Sequence, residues 1–211
     1  MADIVLIHGY GVGLSPSKHP LENHLGFAGF YELLLKKSVA IFSWYQEENH
    51  SPLYFFNPSN HYQVYKKEKS AAISEAVFKN LGAYLEKEQP TTLVCHSLGA
   101  LLLLSYITNH SLPTSVKKVV LVQGDVSNDL VQVTSAKSLN KLTSEVNVIN
   151  IYCPWDPALI TSKVLHHYTP AGLTPINHPQ IKNKLIPLFG HWNLHTATIM
   201  QKQFARFVAS L

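Results

Sequence analysis

Six short apolar runs recur along the chain and predict the strands of a buried sheet. They cover residues 4–7, 39–42, 92–95, 119–122, 148–152 and 185–189. The runs do not alternate between apolar and polar residues, which indicates strands that are buried on both faces, as in a parallel sheet. Pro187 in the last run cannot donate a backbone hydrogen bond, so we expect that strand at an edge of the sheet.

Helical patterns separate these runs. They cover residues 27–37, 71–88, 98–108, 158–167 and 197–211. In the second pattern, Ile73, Val77, Leu81 and Leu85 recur every four residues, which predicts one helix with one apolar face. The third is nearly all apolar, as expected for a helix buried against a sheet. The alternation predicts a single three-layer α/β domain over residues 1–211, with a mostly parallel sheet of about six strands.

Residues 43–66 interrupt this alternation of strand and helix patterns. The segment holds seven aromatic residues among polar residues and prolines: Trp44, Tyr45, Tyr54, Phe55, Phe56, Tyr62 and Tyr65. Because it follows a strand, we expect it at the carboxyl edge of the sheet, where open α/β sheets bind ligands. A long aromatic loop there is typical of a pocket wall or lid, and Trp44 and Tyr45 are candidate pocket residues.

Composition narrows the class of protein. The 211 residues are 46% hydrophobic and 14% charged, which favours a large core and excludes wholesale disorder. The two cysteines make no disulfide framework, and the amino terminus has no signal-peptide pattern, so we expect a cytoplasmic protein without stable membrane insertion. The net charge is +4 and Arg206 is the only arginine, which argues against a nucleic-acid partner.

The strongest candidate for chemistry is the turn that follows the third apolar run. Residues 93–100 read Leu-Val-Cys-His-Ser-Leu-Gly-Ala, so a strand leads through Ser97 directly into an apolar helix. A serine on such a turn projects its hydroxyl above the sheet, and the Leu98 N–H would face a developing oxyanion. Cys95 replaces the first glycine of the Gly-x-Ser-x-Gly pattern. The alternative is a serine that only caps the helix.

With this motif the chain resembles the α/β-hydrolase superfamily over nearly its whole length, and within it the small lipase-like esterases. Residues 8–11, His-Gly-Tyr-Gly, stand where the family has its oxyanion loop. The resemblance implies that the Tyr10 N–H is the second oxyanion donor. It also implies a sheet that lacks the family's first two strands, because the strand before this loop begins near residue 3.

The resemblance also implies an acid and a base after Ser97, in the order Ser, Asp, His. Asp156, in Cys-Pro-Trp-Asp-Pro, resembles the family's acid turn, and Asp125 after the preceding strand is the alternative acid. His191, in Leu-Phe-Gly-His-Trp, matches the family's base, with His195 as the less favoured alternative.

Two neighbours of these residues are candidates for the substrate pocket: His96, beside Ser97, and Trp155, beside Asp156. The implied reaction is hydrolysis of a carboxylic ester with a small or medium hydrophobic acyl group, through an acyl-enzyme, without cofactor or metal. A thioesterase or amidase with the same triad remains open. So does a non-catalytic ligand-binding protein on the hydrolase scaffold.

Overall fold

The computed structural model describes residues 1–9, 37–44 and 58–187, and its described strands form one sheet. Six parallel strands are arranged in the order β2-β1-β3-β4-β5-β6. Their bounds are β1 Ile4–Ile7, β2 Val39–Phe42, β3 Thr92–His96, β4 Lys118–Val122, β5 Asn147–Tyr152 and β6 Lys182–Leu185. β1 to β5 lie where the apolar runs predict them.

Five α-helices and one 3₁₀ turn, among the described residues, connect these strands. The helices are α1 Pro58–Ala72, α2 Glu75–Glu88, α3 Leu98–Tyr106, α4 Ala136–Glu145 and α5 Pro157–His166, and the 3₁₀ turn is Leu130–Gln132. The central strands β1, β3 and β4 are buried almost throughout, so both faces of the sheet are covered, as the three-layer prediction requires. The fold is therefore the predicted α/β architecture.

The strand order brings four strand ends to one edge of the sheet. In the parallel register Ile7 lies opposite both Phe42 and Cys95, and His96 lies opposite Val122. β1 is thus the immediate neighbour of β3, and only β4 separates β3 from β5. Residues that follow β1, β3, β4 and β5 consequently lie close together at the carboxyl edge.

The predicted position of the last strand is wrong. β6 covers Lys182–Leu185, ahead of the apolar run at 185–189, and pairs with β5 from Ile149↔Lys182 to Tyr152↔Leu185. An edge strand is half-solvated and needs no apolar run, and exposed lysines protect it against pairing with another chain. Its position at an edge of the sheet is as expected. The end of the predicted run, Leu188 and Phe189, lies outside the described residues.

The single helix predicted over 71–88 is two helices. α1 ends at Ala72 and α2 begins at Glu75, because the Ser74 side chain accepts a hydrogen bond from the Val77 N–H and caps α2. Ile73 lies in the break and is exposed, so it does not belong to the apolar face. Val77, Leu81 and Leu85 are buried as predicted.

The aromatic segment 43–66 is only partly a loop. From Pro58 onward it is helical, because α1 buries Val64, Glu68 and Ala72 at a spacing of four residues, which is one helix face. The prediction of a loop is therefore wrong for 58–66, and its role as a pocket wall or lid stays a prediction. Residues 45–57 lie outside the described residues.

The first turn of α3 approaches the end of β1 very closely. A Cβ atom at Gly99 would clash with the Ile7 carbonyl oxygen and lie 2.7 Å from the His8 carbonyl oxygen. These are rigid backbone atoms, so the helix can reach this position only with glycine. Gly99 thereby sets how close the serine turn comes to the loop after β1.

We predict that Gly99→Ala lowers the free energy of unfolding by about 2–3 kcal/mol or more, because the new methyl group forces α3 away from β1. Urea denaturation followed by circular dichroism measures the change. Gly82→Ala is the matched control, since its Cβ would meet only the movable end of Tyr106, 3.1 Å away. That variant should be neutral or more stable by about 0.5–1 kcal/mol. Equal losses in both variants would contradict this account.

Candidate active site

Ser97 has the backbone of a strained strand-to-helix turn. Its φ of 52° and ψ of −118° lie in a region that residues other than glycine rarely adopt. The surroundings fix this conformation: the Ser97 N–H donates to the Val122 carbonyl at 3.0 Å, and its carbonyl accepts from the Asp125 N–H at 3.1 Å. The end of β4 therefore holds the turn on two sides.

The Ser97 side chain does not cap α3. Ser74 and Ser135 each accept a hydrogen bond from the backbone of the helix they precede, whereas Ser97 makes no such side-chain bond to α3. The simple capping interpretation of this serine is therefore wrong. Its hydroxyl is kept out of the helix, although the residue is almost fully buried.

The loop after β1 begins directly against this serine. A Cβ atom at Gly9 would lie 2.6 Å from the Ser97 Cβ and 3.2 Å from His96 Nδ1, so the backbone of Gly9 touches both side chains. Leu98 is the first residue of α3, and its N–H has no acceptor within the helix. Tyr10, the other predicted oxyanion donor, lies outside the described residues.

His8 and Trp44 form the wall beside this loop. Their rings stack with centroids 5.2 Å apart, and the Trp44 indole N–H donates to the His8 carbonyl at 3.0 Å. His8 Nδ1 lies 2.8 Å from the Gly9 carbonyl, and Nε2 accepts from the Trp44 backbone N–H. Burial lowers the pKa of His8 to about 4, so the ring is neutral at neutral pH. Trp44 thus lies near the serine turn, and Tyr45 lies outside the described residues.

Asp156 lies at the end of β5 and is fully buried. Its Oδ1 accepts hydrogen bonds from the N–H groups of Ala158 at 3.0 Å and Leu159 at 3.3 Å, so it caps α5, with Pro157 as the first helical residue. A helix N-terminus favours a negative charge at this position. The neighbouring Trp155 points away from the protein and is 76% exposed.

Asp125, the alternative acid, is surrounded by hydroxyl groups. Its carboxylate accepts hydrogen bonds from Tyr65 at 2.6 Å, Ser162 at 2.7 Å and Tyr168 at 2.8 Å. Burial and the nearby negative charge raise the pKa of both tyrosines, which therefore stay protonated as donors. Lys69 donates to the Tyr168 hydroxyl at 3.1 Å. Asp125 therefore joins α1, α5 and the turn after β4.

The two predicted bases, His191 and His195, lie outside the described residues. The described part of the site therefore places Ser97 after β3 and Asp156 after β5. Both lie at the same edge of the sheet, and only β4 lies between their strands. His96 lies against Gly9 beside the serine. The pocket roles of His96, Trp44 and Trp155 stay predictions.

Sequence reasoning missed Gln123. It directly follows β4, adopts a left-handed φ of 46° and is almost fully buried, yet neither its amide oxygen nor its amide nitrogen has a hydrogen-bond partner. A backbone bond from its N–H to the Ile151 carbonyl links it to β5. The available signal was a polar residue immediately after a buried strand, at the carboxyl edge that carries Ser97.

The described residues hold no group of three or more His, Cys, Asp or Glu side chains arranged to bind a metal. Of the helices that the structure describes, none is both long enough and apolar enough to cross a membrane.

Solved structures of other proteins are similar to this chain. An esterase from Pyrobaculum calidifontis in a monoclinic crystal form matches with a TM-score of 0.51 and 12% identity, over 99% of this chain and 75% of that chain. A structure described as a hyperthermophilic esterase from the same archaeon matches with a TM-score of 0.50 and 11% identity, over 99% and 77%. A lipase-esterase related protein from Clostridium acetobutylicum ATCC 824 gives a TM-score of 0.48 and 14% identity, over 99% and 94%.

No protein-family model matches the chain, and no curated protein matches it. The two Pyrobaculum calidifontis matches therefore show the fold alone, which is the α/β-hydrolase fold.

We predict that Gln123→Met raises the free energy of unfolding by about 1–2 kcal/mol, because methionine has a similar shape and removes a buried amide without partners. Asn150→Leu is the matched control. The buried Asn150 amide donates to the Ala171 and Thr174 carbonyls and to Asn183, so its loss should destabilise the protein. Urea denaturation of both variants tests this. A loss of stability in Gln123→Met would contradict our description of an unpaired amide.

Proposed function

We propose that this protein is a serine hydrolase that cleaves carboxylic esters, with Ser97 as the nucleophile. The observation that carries the proposal is the strained φ of Ser97, on a strand-to-helix turn whose side chain does not cap the helix. Strain of this kind persists only where the surroundings impose it, and it is typical of functional sites. A serine that served only to start a helix would have the extended backbone of Ser74 and Ser135.

In the proposed reaction His191 accepts the proton of the Ser97 hydroxyl while the serine oxygen attacks the acyl carbon. The resulting oxyanion is held by the N–H groups of Leu98 and Tyr10. The alcohol leaves with the proton carried by His191, and the acyl group stays on Ser97 as an ester. Water, activated by His191, then attacks this ester and releases the carboxylic acid, which regenerates the serine.

We assign the orienting acid to Asp156 in preference to Asp125. Three hydroxyl donors already occupy the carboxylate of Asp125, and these bonds hold distant parts of the chain together. The Asp156 carboxylate accepts hydrogen bonds from the N–H groups of Ala158 and Leu159 through Oδ1. Asp156 follows β5, and His191 comes after β6, the neighbouring strand, in the chain. This order is the one expected of the acid and base in this fold.

The proposed substrate is an ester with a small or medium hydrophobic acyl group. Trp44 supports this choice, because its ring lies at the carboxyl edge close to the serine turn. The two Pyrobaculum calidifontis structures that share the fold are described as esterases, which agrees with the proposed bond type. Thioester or amide cleavage would use the same residues and is therefore an outcome of the substrate test.

We expect hydrolysis of p-nitrophenyl acetate, butyrate or octanoate, and a loss of kcat of at least about 10³-fold in Ser97→Ala, because the nucleophile is gone. Ser135→Ala is the matched control: it removes a helix cap and costs about 1 kcal/mol of stability, but leaves kcat unchanged. Asp156→Asn should lose activity, whereas Asp125→Asn should mainly lose stability.

Steady-state kinetics on ester, thioester and anilide substrates measure kcat, and thermal melting measures the stability of each variant. Turnover of a thioester or anilide alone would replace ester hydrolysis by that reaction. Turnover that persists in the folded Ser97→Ala variant would exclude Ser97 as the nucleophile. The ligand-binding alternative predicts tight binding of the esters without release of p-nitrophenol.

A further inference from the structure

Helix α5 has an apolar outer face that nothing in the described structure covers. Trp155, just before the helix, is 76% exposed, and Ile160 and Val164 on the helix are 43% and 69% exposed. Ile160 and Val164 are four residues apart and therefore neighbours on one face. Leu165 is exposed as well. We call these four residues the α5 patch.

Basic residues border this patch. Lys163 lies on α5 between Ile160 and Val164 in the chain and is exposed. On the neighbouring helix α1, Lys66 is exposed and lies over the ring of Tyr62, which in turn stacks with His166 of α5 at 6.4 Å. The side chains of α1 and α5 are therefore in contact, so Lys66 and Lys163 lie on neighbouring helices.

No carboxylate balances these charges on the two helices. Glu68 is the one acidic residue of α1 and it is buried. α5 contains no acidic residue, and Asp156 at its start is buried as well. Among the described residues, the outer faces of α1 and α5 thus combine exposed tryptophan and aliphatic side chains with lysines that have no exposed acidic residue on either helix.

We propose that the α5 patch docks on an anionic lipid surface. Tryptophan and aliphatic side chains enter the boundary between headgroups and acyl chains, and lysines beside them attract anionic headgroups. A second copy of this chain suits the surface less well, because a two-fold contact would bring the same uncompensated lysines against each other. Peripheral docking of this kind requires no membrane-spanning helix.

Docking at this position would bring the candidate active site towards the lipid. Trp155 is the chain neighbour of Asp156, and α5 begins at the carboxyl end of β5, the edge that also carries Ser97. Binding itself does not require the proposed hydrolysis, because none of the four patch residues is a member of the triad. The Ser97→Ala variant should therefore bind as the natural protein does.

The test is co-sedimentation of the full chain, carrying Ser97→Ala to prevent lipid hydrolysis, with vesicles of phosphatidylcholine and phosphatidylglycerol in equal parts. We expect binding to these vesicles, weak binding to phosphatidylcholine alone, and loss of binding at high salt. The double substitution Ile160→Ser/Val164→Ser should weaken binding at least about tenfold. Ile73→Ser/Val131→Ser, which removes equally exposed residues of the same types outside the patch, should not.

The contribution of the lysine charges to binding is tested by a second pair of double variants. Lys66→Gln/Lys163→Gln should weaken binding about 10- to 30-fold, and Lys79→Gln/Lys137→Gln, exposed lysines on other helices, should leave it nearly unchanged. Lipid contact should also shift the Trp155 emission to shorter wavelength, and Trp155→Phe should abolish that shift.

Three results would overturn the proposal. The first is no binding to the anionic vesicles by a folded protein. The second is equal weakening by the patch and control variants. The third is a dimer in analytical ultracentrifugation that Ile160→Ser/Val164→Ser converts to monomer, which would assign the patch to a second copy. None of these results depends on ester hydrolysis, so the two proposals fail independently.

Discussion

The close contact between the end of β1 and the serine turn is the constraint on which the rest of the site depends. Gly99 lets α3 approach the Ile7 and His8 carbonyls, and Gly9 itself lies against Ser97. A side chain at either glycine would separate the two loops that together form the proposed oxyanion site. The left-handed backbone of Ser97 is the local consequence of this contact, and the bonds to Val122 and Asp125 keep it in place.

Asp125 and Asp156 each follow a strand at this edge of the sheet, but their surroundings differ. Asp125 binds three hydroxyl groups that lie 37 to 60 residues away along the chain, and so fastens α1 and α5 to the turn after β4. Asp156 accepts hydrogen bonds from the N–H groups of Ala158 and Leu159, which follow it immediately, and so caps its own helix α5. Asp125 thus links distant parts of the chain, whereas these bonds of Asp156 are local to the start of α5.

Much of this architecture could be predicted from the sequence, because it follows from local pattern. Continuous apolar runs mark β1 to β5, of which β1, β3 and β4 are buried almost throughout. The turn at Ser97 is indicated by the strand before it and the apolar helix after it. The polar β6 could not be found in this way, since its position depends on pairing with β5. The break between α1 and α2 at Ser74 could not be predicted, because the spacing of apolar residues continues across it. The environments of Gln123 and Asp125 depend on residues distant in the chain, which no local pattern reveals.

The central claim is that the strained Ser97 is a nucleophile activated by its surroundings. Its most direct test is treatment of the intact protein with a fluorophosphonate, followed by digestion and mass spectrometry of the peptide that contains residue 97. Our account predicts one covalent adduct per chain, located on Ser97 and absent from the folded His191→Ala variant, since an unactivated serine does not react with this reagent. An unmodified Ser97 in the folded protein, or an adduct that persists without His191, would contradict it.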